Sequence, residues 1–278
     1  MKFLKMEKSF CSGWRVMSIV LLVFLSNAYI QPAYGENDVG KSLFNVNCAV
    51  CHGLKGDSSG QMMYNDRIEP SGKMIRIYPR DFTSAVFKFR TTPSGCLPLD
   101  SDILRVISNG ITKSFMPSFN YLSNDKKMAL LAYVKSFSTR WSEEPPCKPV
   151  AISKPSWLGS PESIARGEKI YKTMKCFECH GDTGKGDGSK SDKLKDDLGH
   201  QIYPFDFTSG ILKRGAAPED IYITFSTGVD GTPMPSYADS LNEEGRWDIV
   251  SFTMTLMKKD VPQQSHQVVD TKTKSVKK

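Results

Sequence analysis

Cys176-Phe177-Glu178-Cys179-His180 has a counterpart 128 residues earlier, Cys48-Ala49-Val50-Cys51-His52, and this pair decides how the chain is read. Cys-x-x-Cys-His is the attachment sequence of c-type haem. Two thiols one helical turn apart add across the two haem vinyl groups, and the adjacent imidazole then lies beneath the ring to bind iron. Cys48 and Cys51 with His52, and Cys176 and Cys179 with His180, therefore predict two covalently attached haem c groups. A thiol redox pair does not need the His, and sits after a strand in a βαβ pattern that this sequence lacks. A zinc site brings a second Cys/His pair close by, whereas His200 is the only Cys or His between His180 and His266.

Working outward, Met1 to Arg15 carries Lys2, Lys5, Lys8 and Arg15 against Glu7, and Val16 to Ile30 is a mostly apolar run. That layout is a secretory signal peptide over residues 1–35, with small residues at Ala33 and Gly35 placing cleavage before Glu36 and Ala28 as an alternative site. The run is shorter than the ~20 residues that span a bilayer, so an uncleaved anchor is the lesser alternative. Cys11 lies in the basic region, outside any lipoprotein-like context. With four cysteines assigned to haem, Cys96 and Cys147 remain, and in an oxidising compartment two leftover cysteines most simply pair. The net charge is +7, of which residues 1–35 contribute +3 and residues 258–278 contribute +4. The body between them is near neutral, so the basic balance does not argue for nucleic acid.

The sequence repeats itself. Ile77-Tyr78-Pro79-Arg80-Asp81-Phe82-Thr83-Ser84 matches Ile202-Tyr203-Pro204-Phe205-Asp206-Phe207-Thr208-Ser209 with one difference in eight. Gly110 followed six residues later by Met116-Pro117-Ser118-Phe119 matches Gly228 followed six residues later by Met234-Pro235-Ser236-Tyr237. One domain, duplicated, gives that order of landmarks. The expected division is residues 36–142 and 162–259, joined by a Pro-rich linker over 143–161 and followed by a disordered basic tail over 260–278. The fold class is all-α. Asp100 to Asn109 places Ile103, Leu104 and Ile107 at helical spacing before Gly110, and Pro218 to Thr227 repeats that design before Gly228. A closing helix follows each Met-Pro, capped by Asn124 or Asp125 in the first half and by Asn242 in the second.

These residues resemble tandem class I cytochrome c domains, a dihaem cytochrome c, over roughly residues 38–257. The resemblance implies a small helical fold wrapped around each haem, and attachment of the haem outside the cytoplasm, in the periplasm or an equivalent compartment. In such domains a Gly and an aromatic on the first helix pack against an aromatic of the last. Gly40 with Phe44 and Gly167 with Tyr171 match the former, Tyr133 and Phe252 the latter.

An iron that shuttles electrons without binding small molecules needs a sixth ligand, and thioether sulfur favours the reduced metal. Met116 and Met234, each on a loop stiffened by the following proline, are the candidates, with His52 and His180 on the opposite faces. Lys113-Ser114-Phe115 before Met116 departs from the Gly-Thr-Pro before Met234. His200 is the competing ligand in the second half. Arg80, Lys88 and Arg90 in the first half, and Lys213 and Arg214 in the second, are candidate partners of the haem propionates. The Gly-rich run Gly181 to Gly188 lacks the endings of a phosphate or calcium loop and reads as a connector.

The expected function is that of an exported electron carrier with no catalytic residue, serving redox proteins of a respiratory chain, free of the membrane after signal cleavage. A dihaem peroxidase is the enzymatic alternative and requires one open iron position. An accessory subunit wiring electrons through a larger respiratory oxidoreductase is the other; the Tyr-Pro-Arg-Asp-Phe-Thr run is similar to dihaem subunits of such complexes, nitrite oxidoreductase among them.

Overall fold

The computed structural model describes residues 36–68 and 73–257. The expected signal peptide with Cys11, and the expected tail with His266, lie outside them. Chain order is α1 (Glu36–Asn47), α2 (Ala49–His52), β1 (Asn65–Ile68), β2 (Met74–Ile77), α3 (Asp100–Asn109), α4 (Asn124–Lys135) and α5 (Arg140–Glu143). The second half continues with α6 (Pro161–Thr173), α7 (Phe177–His180), α8 (Pro218–Thr227) and α9 (Glu243–Leu256), with single 3-10 turns at Ser191–Lys193 and Phe207–Ser209. The architecture is mostly helical. Its one small sheet pairs β1 with β2 in antiparallel register from Asn65 opposite Ile77 to Ile68 opposite Met74, an element that the helical reading did not foresee.

Each half is closed by a crossing of its first and last helices, α1 on α4 and α6 on α9. The crossing requires a missing side chain. A Cβ on Gly40 would stand 2.2 Å from the carbonyl oxygen of Ala129, and one on Gly167 would stand 2.0 Å from that of Asp248. Next to each glycine, the aromatic pair that the sequence singled out is in contact: Phe44 with Tyr133 at 5.3 Å, and Tyr171 with Phe252 at 5.2 Å between ring centroids. Because the obstruction is backbone, Gly167→Ala should lower stability by about 3 kcal/mol through overpacking. A fall in the denaturant midpoint at unchanged slope is the expected reading.

Capping is local and explains where the helices start. Ser160 and Asn242 accept from the backbone of Ser163 and Gly245 at 3.2 and 2.8 Å, and Pro161 and Pro218 stand in the first turns of α6 and α8. In α4 the cap is Ser123, which accepts from Lys126 N, and not Asn124 or Asp125, which lie inside the first turn. Two apolar cores result, one around Phe44, Ile103, Leu130 and Val134, the other around Tyr171, Ile221, Trp247 and Val250.

The proline-rich stretch between the halves is tied to both. Cys96 is joined to Cys147 in a disulfide with Cα atoms 6.2 Å apart, and Val150 N donates to Thr91 O at 2.8 Å on the first half. Val150, Trp157 and Leu158 pack on the second core, where Gly159 N donates to Ser251 Oγ at 3.0 Å.

Candidate functional site

Each attachment sequence forms one turn of helix pinned to the helix before it. Cys48 N donates to Phe44 O at 2.8 Å and His52 N to Cys48 O at 2.9 Å; Cys176 N donates to Tyr171 O at 3.0 Å and His180 N to Cys176 O at 2.9 Å. All four cysteines are free of disulfides. Burial, with Cys51 beside it, pushes the Cys48 thiol up to about 11, and burial does the same for Cys176. Neither is poised as the low-pKa thiolate that a thiol-redox pair uses. Among the described residues, no group of three or more His, Cys, Asp and Glu side chains could hold a metal ion by itself.

The repeated Tyr-Pro-x-Asp-Phe-Thr-Ser segment packs on both histidines. His52 Nδ1 meets the Arg80 carbonyl at 2.8 Å; a carbonyl only accepts, so Nδ1 carries the proton and Nε2 keeps its lone pair. His180 Nδ1 is buried beside the carbonyl of Phe205, the matching residue, without closing a bond of normal geometry. Phe82 stacks on His52 at 4.4 Å and Phe207 on His180 at 4.5 Å. These phenylalanines are anchored by Phe82 N to Gly56 O at 2.7 Å and Phe207 N to Gly184 O at 2.8 Å. The Asp-x-Thr that follows closes a turn, with Thr83 N on Asp81 Oδ1 at 2.7 Å and Thr208 N on Asp206 Oδ1 at 2.9 Å. Burial lowers the pKa of His52 and pushes His180 down to about 4, keeping both rings neutral and able to offer a lone pair.

The methionine loops are also built twice to one plan. Gly110 and Gly228 end α3 and α8 at φ 67° and 66°, where a side chain would be strained and its Cβ would strike the loop backbone within 2.6 Å. Ile111 N donates to Met116 O and Val229 N to Met234 O, both at 3.0 Å. Ser118 and Ser236 bond back to the carbonyls of Ser108 and Ser226 at 2.6 and 2.8 Å. The halves differ at the positions the sequence marked: Lys113 and Phe115 adopt φ of 60° and 59°, where the second loop has Gly231 and Pro233. Each such non-glycine residue costs on the order of 1 kcal/mol.

Cys48, Cys51, His52 and Met116 line the same cavity as Cys176, Cys179, His180 and Met234, a continuous space of about 1260 Å³. Its walls are apolar, with Phe82, Phe87, Ile103 and Leu130 from one half and Phe207, Ile221, Phe225 and Tyr237 from the other. Where the halves meet over it, Tyr78 lies flat on His200 at 3.6 Å and Lys73 sits 3.7 Å from the centroid of the Tyr203 ring.

Arg80, Lys88, Lys213 and Arg214 line the cavity. Burial, reinforced by Arg80, pushes the Lys88 amine down to about 8, against the pull of Asp196 and Asp197 across the domain boundary. Arg214 leaves a buried Nε without a hydrogen-bond partner. An apolar slot carrying thiols, neutral imidazoles and cationic side chains fits an amphiphilic macrocycle that bears carboxylates. Arg90 is placed elsewhere: absent from the cavity wall and fully buried, it donates to the carbonyls of Pro93, Phe87 and Thr227 and pairs with Asp230 at 2.7 Å. Arg214 also serves the boundary, donating to Arg90 O at 3.0 Å, while Arg105 binds Arg214 O and Asp220 Oδ1, both at 2.7 Å.

Residues 164–257 match the family described as cytochrome c, and residues 35–134 match the one described as cytochrome c oxidase, cbb3-type, subunit III. The chain belongs to the cytochrome c family as a tandem dihaem member, and carries two covalently bound haem c groups for haem-based electron transfer. Among solved structures it is similar to a chain of the Kuenenia stuttgartiensis reducing HAO-like protein complex, with 38% identity and a TM-score of 0.73 over 80% of this chain and 96% of that one. No curated protein matches it.

The attachment cysteines, histidines and methionines singled out in the sequence all line this cavity. What orients the histidines, the Arg80 carbonyl at His52 and the Phe82 and Phe207 rings, was not among the expected site features. The signal for this was the repeated segment itself.

Proposed function

We propose that the mature chain is an extracytoplasmic electron-transfer protein that relays single electrons through two His/Met-ligated haems and performs no catalysis of its own. The observation that carries this reading is the single cavity onto which both attachment sequences open. Haem c supplies a one-electron iron couple there. The protein's part is to set potential and access. His52 and His180, held neutral by burial, would each offer Nε2 to an iron, with His52 oriented through Nδ1, and Met116 and Met234 would supply the thioether ligands. With two protein ligands each, the irons would offer no open position to a substrate.

The assignment is tested by mixing the purified holoprotein with hydrogen peroxide and, separately, with a small reductant and oxidant. Reversible one-electron cycling with no rapid peroxide consumption is expected. Rapid peroxide reduction, or a stable five-coordinate haem in the unmodified protein, would establish the peroxidase alternative instead.

Arg80, Lys88, Lys213 and Arg214 serve the propionates in this account, and Lys88 gives it a pH dependence. A protonated amine near the first haem favours the reduced iron. Burial lowers the Lys88 pKa and a propionate beside it would raise it again, so on the alkaline side of neutrality, as that charge is lost, the potential should fall by an amount on the order of tens of millivolts. Lys88→Met should start at the lower potential and show a flatter profile across pH 6 to 10, as read by spectroelectrochemistry.

The solved relative favours one setting for this relay. That chain is part of a reducing HAO-like complex, and the likeness spans nearly all of it. This supports a subunit that wires electrons through a larger oxidoreductase over a free carrier. Co-purification with a large redox enzyme is the expected outcome; migration of all the native protein as a free monomer would count against it.

A further inference from the structure

The duplication lets the two surfaces be compared position by position. Beside the first attachment sequence Met62 N donates to Val50 O, and beside the second Lys190 N donates to Glu178 O, both at 2.8 Å. The backbone is matched and the side chains are not. The second half places an ion pair there, Glu178 with Lys190 at 2.5 Å, whereas the first exposes Val50 by 41% and Met62 by 45%. Leu54, 67% exposed, and Met63, 50% exposed, stand where the second half has Asp182 and Ser191. Among the described residues, eleven exposed large apolar side chains fall within residues 36–142 and one, Leu198, within 162–257.

Charge is divided in the same way. Residues 36–142 hold fourteen Lys and Arg against nine Asp and Glu, and residues 162–257 hold eleven against sixteen, so the halves carry +5 and −5 within a body that is neutral as a whole. Lys55 lies next to Leu54, and both are exposed.

We infer that the apolar face formed by Val50, Leu54 and Met62 is the docking site for a redox protein whose own face is apolar and rimmed with carboxylates, so that electrons cross the surface of this chain at the first haem. The inference rests on the electron-transfer reading above. A small apolar centre within a charged field is what a transient interface needs: exclusion of water at the contact, and attraction that acts at a distance. The second half offers neither an apolar centre nor the opposite charge to such a partner.

Film voltammetry of the holoprotein tests this on gold coated with a mixed methyl- and carboxylate-terminated alkanethiol monolayer. Val50→Glu with Met62→Lys installs the pair that the second half already carries on the same backbone, so folding is preserved. Interfacial electron transfer should slow about tenfold, the loss expected when two central contacts are removed. The reciprocal change, Glu178→Val with Lys190→Met, should leave the rate within about twofold, and raising the salt to 0.5 M should slow the unmodified protein. A silent first swap, or an equal response to both, overturns the assignment. Self-association of the unmodified protein that the first swap abolishes would overturn it in favour of a second copy as occupant. Haems that fail to cycle reversibly in solution refute the electron-transfer reading itself, whereas reversible haems with a silent swap refute only the docking site.

Discussion

Met234→Ala should abolish the sulfur-to-iron absorbance of one haem and lower that haem's potential by on the order of 0.1 V or more, leaving the other haem unchanged. The loop survives the substitution, because its shape is held by backbone and serine. Val229 N bonds Met234 O at 3.0 Å, Tyr237 N bonds Phe225 O at 2.8 Å and Ser236 Oγ bonds Ser226 O at 2.8 Å. None of these uses the methionine side chain, so the variant isolates the loss of a soft, neutral ligand that favours reduced iron. It also opens a coordination position, and a gain of peroxide reactivity should accompany the fall in potential. Met116→Ala should do the same to the other haem, from a loop already strained at Lys113 and Phe115. Absorbance and potentiometric titration of both variants check this, and unchanged spectra in both would sink the ligand assignment.

Arg90→Ala should destabilise the protein by about 3–5 kcal/mol, the range for removing one partner of a buried pair. Its guanidinium has no solvent exposure, satisfies the carbonyls of Phe87, Pro93 and Thr227, and pairs with Asp230. Asp230 in turn accepts from Ser94 Oγ at 2.7 Å and Gly95 N at 2.9 Å, so the arginine sits at the centre of the contact between halves. Its loss strands carbonyls on both sides together with a carboxylate. Arg90→Lys should recover little, because an ammonium cannot reproduce donors fanned to several acceptors. Calorimetry should show the single transition of the native protein replaced by two as the halves uncouple. An unchanged midpoint in Arg90→Ala would show that the contact is held elsewhere.

Much of this molecule was legible because its chemistry is written in short spacings. Cys-x-x-Cys-His declares two haems at once, and the Gly-to-Met-Pro interval recurs because one loop was built twice. Gly40 and Gly167 were readable through family resemblance, and the structure supplies the reason, a carbonyl within 2.2 Å of any added Cβ. The role of Tyr-Pro-x-Asp-Phe-Thr-Ser was not readable, since a backbone carbonyl that orients an imidazole leaves no side-chain signature. Arg80 and Phe205 differ at this position, and each still places its carbonyl beside the Nδ1 of its histidine. Arg90 was placed with the propionate partners because it is basic and near the haem segment in sequence, yet its partners Thr227 and Asp230 lie about 140 residues away. No local pattern encodes that. The β1–β2 hairpin escaped notice because its two strands are four residues each, shorter than a periodicity argument can resolve. The opposed charges of the halves were present in the sequence and vanished in the total.

The central claim is that two closed, six-coordinate haems share one cavity and pass electrons between them. A redox titration of the mature holoprotein, followed by EPR, tests it most directly. The account predicts two low-spin ferric signals, each lost in a one-electron step, with the reduction of one haem altering the signal of its neighbour. A stable high-spin, five-coordinate signal from either haem, or two signals blind to each other's oxidation state, would contradict it.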